Sequence, residues 1–304
     1  MLNDAVALAR LNHEGEPAAY IPELAHAPLE MTSAAITLCN GACLVAGDAA
    51  HHRFTMQSVA KVILLAGMLE EKGELQVFSW INAEPSGLSF SSAAQLDLFG
   101  PTPSNPLVNA GAIVLCSHLE GERQARLVWL EQWAEKLLGS RVSINPRVFY
   151  SELQTGDRNR ALAYLMKSNG VITGDIAEIL QTYFYLCSIE TEVAQASRMA
   201  MLFANGGRDH SGAQILSERT VAIVTAIMAT SGLYDESGMH LVRTGMPAKS
   251  GVSGLIVAAA LGYGGIAVAS PRVNEKGGSV RGHIMLEHIS RELGWHFALQ
   301  NQRE

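Results

Sequence analysis

The chain has 304 residues, 48% of them hydrophobic and 17% charged, and a formal net charge of -7. That apolar share excludes a disordered chain, and the acidic balance speaks against nucleic-acid binding, which depends on clustered Lys and Arg. The length allows one large domain or two ordinary ones, and a small neutral or zwitterionic partner suits the charge.

The opening residues, MLNDAVALARLNHEG, have neither a cationic start nor a long apolar core before a small-residue cleavage site. No secretory signal is expected, and a cytoplasmic address follows. Next, AAITLC and ACLVAG flank Asn40-Gly41, a two-residue hairpin signal that pairs Cys39 with Ala42 and Cys43 with Leu38. In that register the two thiols point to opposite faces, and four scattered cysteines in so long a chain predict reduced thiols.

After the hairpin the pattern turns helical. One long helix is predicted from an N-cap at Thr55 to a C-cap at Gly73, and its interior from Val59 to Leu69 is apolar almost all round, which places it at the centre of the molecule. Asn105-Pro106 opens the next helix, with Asn109 in its first turn and an end near Gly121, and Arg123 to Leu138 with Gly139 forms another. Asp157 caps a helix ending at Asn169-Gly170, and Asp175 caps the one after it. Thr191 begins a helix closed by Asn205-Gly206-Gly207, and Ser217 caps the last of the block.

Strand character returns after about residue 239, in HLVRTGMPAKSG, SGLIVAAAL and GIAVAS, before a closing helix over VRGHIMLEHISREL. The uncharged run 252–271 is split by Gly262, Gly264 and Gly265 and predicts a buried hairpin rather than a membrane span. Two early strands and three late ones bury a hydrophobic face only by pairing. The predicted fold is therefore α/β plus all-α: a discontinuous domain, residues 1–65 and 235–304, with an antiparallel sheet flanked by the terminal helices, and an inserted helical domain, residues 66–234. Small-molecule sites favour the crevice between such parts.

Ser58-Val59-Ala60-Lys61 puts a serine and a lysine, three apart, on one face of the buried helix. A lysine walled in by apolar side chains has a lowered pKa and can take the serine proton during attack on a carbonyl carbon. N–H groups at a helix start favour the negative charge that develops on the carbonyl oxygen. The same pattern also arises by chance, with the serine at a helix start and the lysine at the surface. Lys249-Ser250-Gly251, at the end of a late strand, matches the K-[ST]-G element that accompanies S-x-x-K in penicillin-recognising serine enzymes. By itself the tripeptide is a plain turn; in combination it brings a second oxyanion donor, the N–H of Val252. The ten histidines form no H-E-x-x-H, His51-His52 lack ligand spacing, no helix follows Gly262 to Gly265 to receive a phosphate, and there is no G-x-S-x-G. Neither a metal site, a dinucleotide site nor a nucleophile elbow is expected.

TMQSVAK at 55–61, SNPLVNAGAI at 104–113, SELQTGDRNRALAYLMKSNG at 151–170, LYDESG at 233–238 and PAKSGVSG at 247–254 closely resemble the serine-dependent glutaminase family. The resemblance runs from about Tyr20 through the terminal helix. It implies a β-lactamase/DD-peptidase-like fold, hydrolysis of L-glutamine to L-glutamate and ammonia, no metal or organic cofactor, and a homo-oligomer, dimer or tetramer; no nucleic-acid or membrane partner is expected. Position by position it implies Ser58 as nucleophile, Lys61 as its base, Tyr234 as proton shuttle or wall of the site, and Tyr20, Asn109, Glu152, Asn159, Tyr183 and Val252 at the substrate, with Lys249, Ser250 and Gly251 in support.

Residue chemistry is compatible with those roles, since an α-ammonium wants a carboxylate and an α-carboxylate wants amide and phenol donors. Each residue also has an ordinary alternative: Asn159 at a helix start, Glu152 paired with Arg158 or Arg160 on the surface, Tyr183 as half-buried packing. Leu255 stands where the family pattern has a further glycine, and residues 87–103 depart from its usual loop; both bear on affinity more than on reaction type. Two other readings stay open, another S-x-x-K acyl-serine hydrolase (a β-lactamase or peptidase, against which the missing signal segment counts) and a catalytically silent amino-acid-binding protein.

Overall fold

In the computed structural model, which describes residues 1–48, 52–87, 92–98 and 100–299, the chain opens with α1 (Leu2–Arg10) and the short α2 (Pro22–Ala25). β1 (Ser33–Leu38), β2 (Cys43–Gly47) and β3 (Phe54–Thr55) follow, and a 3-10 turn over Gln57–Ala60 leads into α3 (Lys61–Lys72). The helical stretch continues with α4 (Glu74–Trp80), α5 (Ala94–Leu98), α6 (Asn109–Ser117), α7 (Arg123–Leu138), β4 (Ser143–Ile144), α8 (Pro146–Thr155) and α9 (Asp157–Ser168). It ends with α10 (Ile176–Cys187), β5 (Ile189–Thr191), α11 (Val193–Ala204) and α12 (Glu218–Ser231). A second 3-10 turn over Tyr234–Glu236 precedes α13 (Ser237–Thr244), β6 (Ala248–Ser250), β7 (Leu255–Ala260), β8 (Gly264–Ala269) and α14 (Val280–Leu293).

Early and late strands pair as expected, in one five-stranded antiparallel sheet of order β2-β1-β8-β7-β6. Alternation along each strand feeds two cores. Ala34, Ile36, Ile256, Ala258, Ile266 and Val268 face α1 and α14. Ala35, Leu255, Val257, Ala259, Ala267 and Ala269 join the larger core on the other side, where α11 covers the sheet. α11 comes so close that a Cβ on Gly265 would stand 2.0 Å from the Met201 nitrogen, so glycine is required there. This helix, within the stretch expected as the insertion, is part of the sheet's own cover. α3 is buried from Lys61 through Leu69 and forms the middle of the larger core.

Several local expectations are corrected. The first hairpin turns through three residues, Cys39-Asn40-Gly41, with Leu38 N–H donating to the Ala42 carbonyl (2.9 Å) and Cys43 opposite Thr37. Gly41 takes a left-handed φ of +89°, the position that closes a three-residue loop, which shifts the register by one. Thr55 does not cap α3: it ends β3, paired with Glu190, and helical geometry begins only after Gln57 at φ +48°. Asn105 opens no helix; its side chain accepts from the Leu107 and Val108 N–H groups, and α6 starts at Asn109 and ends at Ser117. Asp157 is the first residue of α9 after the N-cap Gly156 and pairs with Arg160. Thr191 closes β5, while Glu192 caps α11 in a reciprocal capping box with Gln195. HLVRT lies in α13, stopped by left-handed Gly245, so β6 keeps only Ala248–Ser250. A second, three-stranded sheet of order β3-β5-β4 joins segments too short and distant to be seen in the local pattern.

Candidate active site

Ser58 stands in the 3-10 turn that β3 delivers to the head of α3. Pairing of β3 with β5 and the bond from Met56 N–H to the Ile189 carbonyl (2.7 Å) fix the turn from one side. From the other side β6 arrives, and a Cβ on Gly251 would come within 2.7 Å of the Met56 carbonyl oxygen. Only a glycine lets the end of the Lys249-Ser250-Gly251 strand lie against the serine turn.

The Lys61 ammonium nitrogen lies 3.0 Å from Ser58 Oγ and 2.6 Å from Asn109 Oδ1. Asn109 in turn donates through Nδ2 to Asn159 Oδ1 at 2.9 Å. Tyr234 hydrogen-bonds to Ser58, its ring centre 5.9 Å from Lys61 Nζ. Gln57 donates to Glu152 Oε1 at 3.0 Å. Neither Lys61 nor Glu152 is a surface residue: Lys61 is 0% exposed and Glu152 7%.

Tyr20, Ser58, Asn109, Glu152, Asn159 and Tyr183 all line one cavity of about 250 Å³. Tyr20 is the most open of them and Tyr183 is buried rather than half-buried. Val252 lies on the wall of a neighbouring cavity that shares Tyr20 with the first. Lys249 lies under the Tyr234 ring, its side chain fully buried and donating to the Ser250 carbonyl at 2.7 Å.

Burial controls the charges. It pushes Lys61 from an ordinary amine value of 10.5 down to about 8, against the pull of Cys187 and Glu152. It raises Glu152 from 4.5 to about 8, opposed by the Gln57 bond and by Lys61. Lys249 is held well below the usual amine range by burial and by the charge of Lys61. Burial likewise raises the Tyr234 phenol, with the Ser58 bond working the other way. A free amine against an alcohol, beside a carboxyl and several amide and phenol groups, is equipped for acyl transfer on a small zwitterion.

Reading the sequence missed Gln57. It is 3% exposed, lines the cavity and holds Glu152, and its signal is a backbone φ of +48° that no spacing reveals. Cys187, Phe184, Thr155 and Arg158 also line the cavity without having been singled out as site residues. Leu255 is fully buried opposite Ala269, in the core. His51, and residues 88–91 and 99 of the 87–103 stretch, lie outside the described residues.

Residues 15–297 match the family model described as Glutaminase. A glutaminase of Legionella pneumophila (strain Lens) is 51% identical over 300 residues, 98% of this chain and 97% of that one. One from an Exiguobacterium species is 40% identical over 285 residues, 90% and 91% of the two chains. Among solved structures, the probable glutaminase ybaS superposes with a TM-score of 0.93 at 36% identity over 98% of both chains. Mglu in its glutamate form superposes with a TM-score of 0.93 at 31% identity, over 99% of this chain and 69% of that one. The fold is the β-lactamase-like one of these neighbours.

Proposed function

The chain belongs to the glutaminase family, and on that premise we propose that it hydrolyses L-glutamine to L-glutamate and ammonia through an ester formed on Ser58. Lys61, as the free amine, takes the proton of Ser58 Oγ while the oxygen attacks the side-chain amide carbon. The oxyanion rests on the N–H groups of Ser58 and Val252. The proton taken by Lys61 goes to the departing ammonia, directly or relayed by Tyr234, which hydrogen-bonds to Ser58, and water then cleaves the glutamyl ester. Glu152 faces the α-ammonium, Asn159 and Tyr183 the α-carboxylate, Asn109 orients Lys61, and Tyr20 covers the mouth.

The observation that carries this reading is the 3.0 Å contact between Ser58 and a fully buried Lys61. Ser58→Ala should release no ammonia from glutamine while keeping its circular dichroism and melting profile; surviving turnover rejects the assignment. A β-lactam that labels Ser58 covalently would favour a different acyl-serine hydrolase. We read the protein further as a cytoplasmic homo-oligomer, dimer or tetramer, a state light scattering on the purified chain would measure. No helix among the described residues is long and apolar enough to cross a membrane.

A further inference from the structure

Lys61 and Glu152 are oppositely charged in water, both are buried in one site, and each is held by neutral partners: Lys61 by Ser58 and Asn109, Glu152 by Gln57. Each biases the other toward its charged form. The titratable and charged groups around them are Cys116 on α6, Arg158 on α9, Tyr183 and Cys187 on α10, Tyr234 ahead of α13, Lys249 on β6 and Tyr20 at the mouth. Burial keeps the phenols and thiols protonated and neutral and, with Lys61, holds Lys249 toward its free amine, so proton exchange near neutral pH falls to the Lys61 and Glu152 pair.

An empty site can store protons on that pair in three ways: carboxylate with ammonium, acid with amine, or acid with ammonium. The first two hold one proton and the third holds two. The state that both binds and reacts holds none, because the α-ammonium needs a carboxylate and Ser58 needs an amine. We propose that the substrate's α-ammonium expels the protons shared by Lys61 and Glu152, so that binding the amino-acid end of the substrate generates the base at the other end. The incoming cation meets the Glu152 carboxylate directly and opposes a second cation on Lys61, which lies against Ser58 on the wall of the same cavity, while the substrate's α-carboxylate is turned to Asn159 and Tyr183. The displaced protons leave to solvent past Tyr20, and no bond to carbon changes in this step. The inference rests on the roles given above to Ser58, Lys61 and Glu152. It makes the α-ammonium part of the activation as well as of the recognition.

Calorimetric titration of L-glutamine into Ser58→Ala at pH 7, in phosphate and in Tris, reads the protons exchanged from the difference in heat. One proton or more should be released per site, and the Kd should fall about tenfold or more for each pH unit between pH 6 and 7.5, the slope that release of one proton dictates. Above about pH 8 the release should fade, because the empty pair has already shed its protons. Ser58→Gly serves if the alanine variant does not fold. Equal heats in the two buffers, or a Kd that ignores pH, overturn the coupling. That result in an inactive Ser58→Ala leaves the serine reading standing, whereas turnover by Ser58→Ala removes the serine reading itself.

Discussion

The side-chain nitrogen of Lys249 stands 4.2 Å from the centre of the Tyr234 ring. Tyr234 needs such a hold. Its backbone sits at φ +56°, a conformation that costs a bulky residue about 1–3 kcal/mol, and its hydroxyl must still meet Ser58. The Lys249 amine under the ring fixes the aromatic plane from β6, the strand that leads to Gly251 and the serine turn.

Lys249→Met keeps the length and removes the amine. Ammonia production should fall about tenfold, mostly in kcat, a loss of about 1.4 kcal/mol in holding the ring against Ser58. Melting temperature should hold or rise, because a fully buried amine that donates to the Ser250 carbonyl is costly to desolvate. Steady-state kinetics beside differential scanning fluorimetry checks both.

The pH profile should separate into two limbs. Lys61 is the base only as the free amine, and burial sets its proton loss in the free enzyme at about 8, so kcat/KM should climb with pH through about 8. With substrate bound the α-ammonium has driven the protons off, so the limb of kcat should lie at lower pH. Coincident limbs count against the coupling of binding to proton loss.

Glu152→Gln should trade activity for stability. The folded value of Glu152, about 8, lies above the unfolded 4.5, so its favourable share in stability is complete below about 4.5 and is lost as pH rises through about 8. The amide mimics the protonated carboxyl and can still accept from Gln57. The variant should melt with wild type near pH 4.5 and several degrees above it at pH 8 to 9. Its kcat/KM for glutamine should be about a hundredfold lower or worse, since the α-ammonium loses a buried counter-charge.

Features with local punctuation were legible in the chain. Left-handed Gly139 stops α7, the Asp175 and Ser217 side chains cap α10 and α12, and the apolar run of α3 reads at once as buried. Ser58 and Lys61 could be read because their separation of one helical turn forces contact. Gln57 could not: its strained φ comes from pinning by β5 on one side and β6 on the other, both far away in sequence. The start of α3 was misplaced for the same reason, because Thr55 is an ordinary cap residue until Glu190 claims it for a strand. HLVRT alternates like a strand, yet becomes the helix α13 because Gly245 caps it and Thr244 with His240 close a buried hydrogen-bond cluster at its end.

The middle of the five-stranded sheet joins β1 to β8, with Ser33 facing Ala269. During translation the first hairpin therefore emerges with one unpaired edge, and its partner strand leaves the ribosome only after the whole helical stretch. The helices between them have local contacts and can form meanwhile, but sheet closure waits until β8 has emerged. A nascent chain that stalls before β8 exposes a long apolar strand edge, the kind of surface that recruits chaperones or aggregates.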